Sequence, residues 1–168
     1  INRVLTPLQK KLKVELLMVD LDEEGAGSLN MADEKNLWKQ LKNNTKSIIW
    51  TRIEATSGLG IPDLFGYYRR GFWVELKIIN NNKLNFSAHQ IAWINRHYSE
   101  GCPVFVLAKD PPSKTLRLFS GSIVRDPTSI ADKPSLCSIV PGSRTQGWEQ
   151  LLLMLASWTP DGISISLH

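Results

Sequence analysis

Residues 72–79, Phe-Trp-Val-Glu-Leu-Lys-Ile-Ile, form a nearly continuous apolar stretch that carries two charges at alternate positions, Glu75 and Lys77. Aromatic and β-branched residues at this density favour a strand, and alternate side chains of a strand share a face. Phe72, Val74, Leu76 and Ile78 therefore point one way, and Trp73, Glu75, Lys77 and Ile79 the other. The next thirty residues narrow the fold. A polar loop over 80–85 leads to Ser87 and Gln90, which form a capping box, and the helix they open ends before Gly101, placed as a C′ glycine, with Pro103 beyond it. Val-Phe-Val-Leu-Ala at 104–108 is the continuous apolar run of a strand buried on both faces. Strand, helix, strand across 72–108 reads as a right-handed βαβ unit. The fold class expected is α/β, a central mixed sheet flanked by helices.

The flanks carry further elements. Thr6, Pro7 and Gln9 form a helix start, and Leu8, Leu12, Leu16 and Val19 succeed them at helical spacing, which predicts a helix over 7–19. The acidic, glycine-containing stretch 20–28 breaks it, and a second helix is expected over 31–43 with Asn30 as N-cap. Ser-Ile-Ile-Trp-Thr-Arg-Ile-Glu-Ala at 47–55 reads as a strand, leading into a glycine-rich corner with Gly58 and Gly60. Residues 63–68 pair with 72–79 in a hairpin around Arg69-Arg70-Gly71. Beyond Lys109 the pattern thins to a strand in Leu-Arg-Leu-Phe, a Pro- and Ser-rich stretch over 126–143, and a buried helix near 146–158. A chain of 168 residues is expected to form one domain, with a recognisable core over 31–109, an N-terminal helical extension over 1–30 and a C-terminal extension over 110–168.

The charges of the 72–79 strand acquire a third partner from the hairpin. A three-residue turn over 69–71 places Asp63 opposite Lys77 and Phe65 opposite Glu75, so Asp63, Glu75 and Lys77 converge on one face. A two-residue turn would break that parity. The plainest account is a cross-strand salt bridge, Lys77 lying between two carboxylates. The alternative is a cation site, because two acids sharing one lysine in apolar surroundings repel unless a positive ion joins them. Mg²⁺, or Mn²⁺ in its place, takes oxygen ligands from one or two carboxylates, carbonyls and waters. The Asp63 and Glu75 side chains with the Leu76 carbonyl supply such a set, leaving Lys77 to orient an attacking water and to neutralise charge developing on a phosphate.

These residues also carry a resemblance. Gly-Ile-Pro-Asp-Leu-Phe, eleven residues between Asp63 and Glu75, and then Val-Glu-Leu-Lys resemble the core signature of PD-(D/E)xK nucleases. The wider pattern, with Thr-Arg-Ile-Glu-Ala-Thr-Ser-Gly-Leu-Gly before it and Leu-Asn-Phe-Ser-Ala-His-Gln-Ile-Ala-Trp-Ile and Gly-Cys-Pro-Val-Phe-Val-Leu-Ala after it, resembles the virus-type replication-repair nuclease branch (VRR-NUC), whose small phage forms are similar to Holliday-junction resolvases. It covers about residues 34–109. The resemblance implies a restriction-endonuclease-like core and metal-dependent, structure-selective hydrolysis of DNA phosphodiesters in the cytoplasm of a bacterial or phage-infected cell. It further implies an acid from the preceding helix, Glu34, with Glu54 as the rival, and a glutamine after the catalytic strand, Gln90. Glu34 is equally explained as a first-turn acid on the Leu37, Trp38 and Leu41 stripe, and Gln90 as half of the capping box. Junction resolution requires two active sites, which predicts a homodimer.

Charge and the remaining motifs weigh in around this reading. The net charge of +4 arises in the middle of the chain, where residues 31–100 hold ten basic and six acidic side chains. A basic patch attracts DNA by counterion release, although lysines on solvated helix faces give the same count. Cys102 and Cys137 lack metal-type spacing and suit free thiols in a reducing compartment. No apolar run reaches membrane-spanning length, and the opening residues lack the pattern of a secretory signal, so the chain is expected to carry none or to have lost it. A nucleotide-binding P-loop is absent. His89 and His97 read as surface or satisfied histidines, Ser87 as a cap rather than a ligand, Gly58 and Gly60 as corner glycines, and Arg69 and Arg70, beside Tyr67 and Tyr68, as a solvated turn or a grip on a backbone or base. Two other classes compete with the nuclease: a catalytically inactive nuclease-fold module that binds DNA or aids assembly, and a structural domain whose charged face pairs internally.

Overall fold

The computed structural model describes residues 31–54, 58–143 and 145–163. The helix expected over 7–19 lies outside them. The chain divides into compact units over 1–36 and 37–168, and helix α1 (residues 31–44) carries the chain from one into the other.

The second unit is built on a six-stranded sheet in sequential order: β1 (Ile49–Arg52), β2 (Leu64–Tyr68), β3 (Arg70–Ile78), β4 (Val104–Asp110), β5 (Thr115–Ser120) and β6 (Cys137–Ile139). Only β3 and β4 run parallel. They are joined by α2 (Ala88–Ser99), the expected βαβ unit. The architecture is therefore α/β with a central mixed sheet. Helix α3 (Gln146–Ser157) comes after β6, and a short separate hairpin joins β7 (Trp158–Thr159) to β8 (Gly162–Ile163). No helix among the described residues is long and apolar enough to cross a membrane.

The alternation read from 72–79 divides the core in two. Phe72, Val74, Leu76 and Ile78 pack with Phe105 and Leu107 of β4, beneath Leu37 and Leu41 of α1 and Trp148, Leu151 and Leu155 of α3. Val104, Val106 and Ala108 of β4 face the other side, where Ile94 of α2 and Ile123, Val124 and Ile130 of two 3-10 turns cover them, with Trp73 and Ile79 at the margin. β4 is thus buried on both faces, as its apolar run required. The boundary of α2 is set by its chemistry. Ser87 Oγ accepts from the Gln90 N–H, the Gln90 side chain accepts from the Ser87 N–H, and Gly101 takes the left-handed conformation (φ 84°) past the helix end.

Three details depart from what the sequence predicts. The hairpin closes on Arg69 alone, held at φ 63°, and pairs Leu64 with Val74 and Phe65 with Trp73. The register is shifted by two residues from the one expected, because Gly71 is a strand residue. A Cβ there would lie 2.8 Å from Cζ of Phe65, so its glycine gives the Phe65 ring room to lie across β3. An even shift preserves the face of every side chain. Arg70 is no solvated turn residue. Its Nε donates to the Leu155 carbonyl (3.0 Å) and its Nη2 to the carbonyls of Trp158 (2.7 Å) and Met154 (3.4 Å), closing the C-terminus of α3. Finally, the Pro- and Ser-rich stretch contains β6 and a 3-10 turn, Ile130–Asp132.

A cation at a helix C-terminus satisfies orphan carbonyls and complements the dipole. Arg70→Ala is expected to lower unfolding free energy by about 1–3 kcal/mol, the cost of stripping a charged donor from part-buried acceptors, as measured by urea denaturation.

Candidate functional site

The site forms where β2 begins and β3 runs past it. Pairing of β2 with β3 stops at Leu64 and Val74, and the register carried one residue further sets Asp63 level with Glu75, not with Lys77. The backbone is fixed on the other side as well, since the Ile53 N–H donates to the Asp63 carbonyl at 2.7 Å. Along β3, the N–H groups of Trp73 and Ile79 donate toward β4, to the Pro103 and Lys109 carbonyls (2.9 Å each). A strand residue directs its N–H and C=O to the same edge, and successive residues alternate edges. Leu76 therefore faces the β2 side, beyond the last β2 pair. Its N–H donates to Asp63 Oδ2 at 2.9 Å, and its carbonyl points into the same space.

Glu75 is only 2% exposed and both of its carboxylate oxygens are engaged. Its Oε2 accepts from the Asp63 N–H (3.2 Å), and its Oε1 accepts from Gln90 Nε2 (2.6 Å) and pairs with Lys77 Nζ (3.2 Å). Gln90 Oε1 in turn accepts from Lys77 Nζ (3.1 Å) and from the Ser87 N–H (3.0 Å). One Gln90 side chain therefore both closes the capping box and holds Glu75 and Lys77. The Lys77 ammonium also lies 4.9 Å from the centre of the Phe86 ring, a cation–π contact.

Electrostatics marks the pair of acids as strained for anions. Burial pushes the Glu75 carboxyl up to about 8, the nearby Asp63 charge adds to the rise, and Lys77 offsets part of it. Burial likewise raises Asp63, against the Leu76 N–H and the charges of Lys77 and Arg52, which lower it. Glu75, disfavoured as an anion by desolvation and by the Asp63 charge, and Asp63, disfavoured by desolvation, suit a hard divalent cation. Asp63, Glu75 and the Leu76 carbonyl are the oxygen donors that fit Mg²⁺ or Mn²⁺, since a carboxylate has about four lone-pair positions and the hydrogen bonds above leave some of them open.

Glu34 belongs to the 1–36 unit, half-buried in the first turns of α1, and Glu54 is exposed past the end of β1. Ser87 acts as the cap. His89 is exposed, while His97 stacks on Trp93 at 3.6 Å with its Nδ1 2.8 Å from the Trp93 carbonyl. Cys102 and Cys137 are free thiols, and burial holds the Cys137 thiol up at about 12. Gly58 and Gly60 both have positive φ (62° and 73°), as corner glycines should. Gly60 does more, because a Cβ there would lie 2.2 Å from the His89 carbonyl carbon and 2.5 Å from the Gln90 nitrogen. The corner is pressed against the first turn of α2, a contact that periodicity cannot reveal.

No protein-family model matches this chain, and no curated protein matches it.

Gly60→Ala has to displace backbone at the start of α2 and adopt a left-handed conformation, so unfolding free energy is expected to fall by about 1–3 kcal/mol and Mn²⁺ affinity by titration calorimetry to fall with it. The pH response has a definite sign. With both carboxyls raised, the folded chain holds protons that the unfolded chain releases, so metal-free stability is fullest below the ordinary glutamate value of 4.5 and declines as pH rises toward about 8. Thermal unfolding in EDTA should show the midpoint falling between about pH 5 and 8, with Glu75→Gln flattening the slope; Mn²⁺ should restore most at the upper end, where it displaces fewest protons.

Proposed function

We propose that the protein is a metal-dependent DNA endonuclease built on a restriction-endonuclease-like core, of the kind that the PD-(D/E)xK and VRR-NUC resemblance implies. The observation that carries this reading is the meeting of Asp63, Glu75, Lys77 and Gln90 on one side of the sheet, linked by the hydrogen bonds among them. An ion pair needs one acid for its lysine. Here two acids converge at the end of a hairpin, joined by a backbone carbonyl that no β2 residue pairs with, and that surplus of oxygen donors fits a cation better than it fits Lys77 alone.

A divalent ion held by Asp63, Glu75 and the Leu76 carbonyl would polarise a phosphodiester and lower the pKa of a water beside it. The chain's own groups perform the rest. Lys77, fixed by Glu75 and Gln90, can donate to an attacking water or to a phosphate oxygen, so its ammonium meets negative charge as it develops. Gln90 sets the Lys77 position through its Oε1 and the Glu75 rotamer through its Nε2. Water adds to phosphorus in line and gives up one proton to solvent, the P–O bond to the leaving nucleotide breaks, and the departing oxygen takes a proton from solvent. The partner is DNA, attracted by the basic middle of the chain, with branched DNA as the preferred form and a homodimer as the assembly that would cut both strands of a junction.

Incubation of pure protein with plasmid, flap and four-way-junction DNA in Mg²⁺ tests the reading. Cleavage is expected in Mg²⁺ or Mn²⁺ and not in EDTA, and Lys77→Ala is expected to lower it by at least about 10²-fold, the scale of a lost charge-stabilising group. Salt-sensitive DNA binding with no cleavage and no metal dependence would instead identify an inactive DNA-binding module.

A further inference from the structure

A polar cavity of about 360 Å³ lies on the sheet face that carries Glu75 and Lys77, just past the end of β3. Alternation fixes the face. Ile79, two residues after Lys77 and about 6.6 Å along the strand, lines the cavity, and so does Asp110, the last residue of β4, which shares the side of Val106 and Ala108. Arg117 of β5 pairs with Ala108 and lies on that side too, and Asn82, Ser113 and Ala131 complete the wall. The volume falls in the range of about 300–1,000 Å³ found for small-ligand sites.

The wall is held by the protein's own hydrogen bonds. The backbones of Asn80 and Lys83 bond to each other in both directions (3.0 and 2.9 Å) around Asn81 and Asn82, which are left-handed (φ 49° and 59°), a two-residue turn that asparagine tolerates. Asn82 Oδ1 accepts from the Ala131 N–H (2.6 Å) and the Asn82 carbonyl from the Ile130 N–H (3.1 Å), while Asn82 Nδ2 has no partner among the described residues. Asp110 Oδ2 accepts from Ser113 Oγ (2.5 Å), and among the described residues Asp110 Oδ1 has no partner either. Arg117 is tied to the carbonyls of Ile130 and Lys133. The cavity therefore offers an open donor and an open acceptor beside the apolar side chains of Ile79 and Ala131. Its two charges, on Asp110 and Arg117, cancel, which gives a phosphate no net attraction. A neutral planar ring with an amine next to a ring nitrogen matches this set; adenine and cytosine carry such an edge, and thymine has no amine.

We propose that this cavity receives one unpaired adenine or cytosine of the strand whose phosphate lies at Lys77, with Asp110 accepting from the exocyclic amine and Asn82 donating to the adjacent ring nitrogen. The proposal rests on the nuclease reading for the path of the strand. It supplies a source of structure selectivity: an unpaired base beside a flap or branch point is free to enter, whereas a base of an intact duplex must first leave its stack and its partner.

Binding of the full chain is measured with Ca²⁺ in place of Mg²⁺, using an all-thymine single strand and the same strand with one central adenine. The adenine is expected to tighten binding about tenfold. A central purine nucleotide, which differs from adenine only in lacking the amine, is expected to lose that gain. Ala131→Phe, which fills the cavity, and Asp110→Ala, which removes the acceptor, should lose it too while keeping the wild-type affinity for the all-thymine strand. Equal binding of the adenine and thymine strands by the wild type overturns the proposal, and so does a purine that binds as tightly as adenine or a gain that survives in Ala131→Phe. The purine strand tests the same contact without altering the protein, so it decides the matter even where a variant fails to fold. Cleavage in Mg²⁺ is read separately: an amine-dependent preference without cleavage sinks the nuclease reading and leaves the cavity standing, and cleavage without the preference sinks the cavity alone.

Discussion

The buried carboxylate of Glu75 is the constraint around which this part of the molecule is arranged. A carboxyl group that is 2% exposed must find its hydrogen-bond partners inside the protein, and removing one partner from a buried pair typically costs about 3–5 kcal/mol. Three separate segments answer that demand. β3 itself supplies Lys77 two residues on, the chain entering β2 supplies the Asp63 N–H, and the first turn of α2 supplies Gln90. The contacts with the Asp63 N–H and with Gln90 fix segments outside the sheet ladder, so the acid orders the corner as much as the corner shelters it. Gly60 belongs to the same arrangement, because only a residue without a side chain lets the corner approach the α2 backbone closely enough to close the ring of donors.

Much of this was legible in the sequence because it depends on parity and capping, which are local. Alternation put Glu75 and Lys77 on one face, an odd-length turn brought Asp63 to it, and Ser87 with Gln90 announced the start of α2. The register was not legible, because Arg69 takes the left-handed conformation that sequence assigns first to glycine, while Gly71 is kept for the Phe65 ring. Arg70 looked solvated because its acceptors, the last carbonyls of α3, lie more than eighty positions away in sequence. β6 was hidden for a related reason: Cys137–Ile139 is three residues long and flanked by prolines at 134 and 141, too short for periodicity to register. What sequence misses here are long-range pairings that impose structure on segments with little preference of their own.

The two-residue shift of the hairpin has a chemical consequence beyond geometry. With Asp63 level with Lys77, the lysine would have stood between two acids as a structural bridge. With Asp63 level with Glu75, the carboxylates face each other, the Glu75 Oε1 pairs with Lys77 and Gln90, and the Asp63 carboxylate accepts from the Leu76 N–H. Burial raises the Glu75 carboxyl first and the Asp63 charge adds to it, so Lys77, a cation 3.2 Å away, offsets only part of the rise.

Position on the sheet reconciles burial with access. A site enclosed by helices on all sides would keep its carboxylates desolvated and admit no polymer; one in the middle of an open sheet would be reachable but hydrated, with little cause for a raised carboxyl. Among the described residues, Asp63 and Glu75 stand where the cover of α2 gives way to the exposed Ile49 and Tyr67 of β1 and β2. Glu75 is buried with Gln90 beside it, and Asp63 is half-buried. The low-dielectric half strengthens every interaction made there, and the other half carries the exposed Ile49 and Tyr67. Among the described residues, uneven cover of one sheet face therefore shelters Glu75 while its neighbour Asp63 stays half-buried.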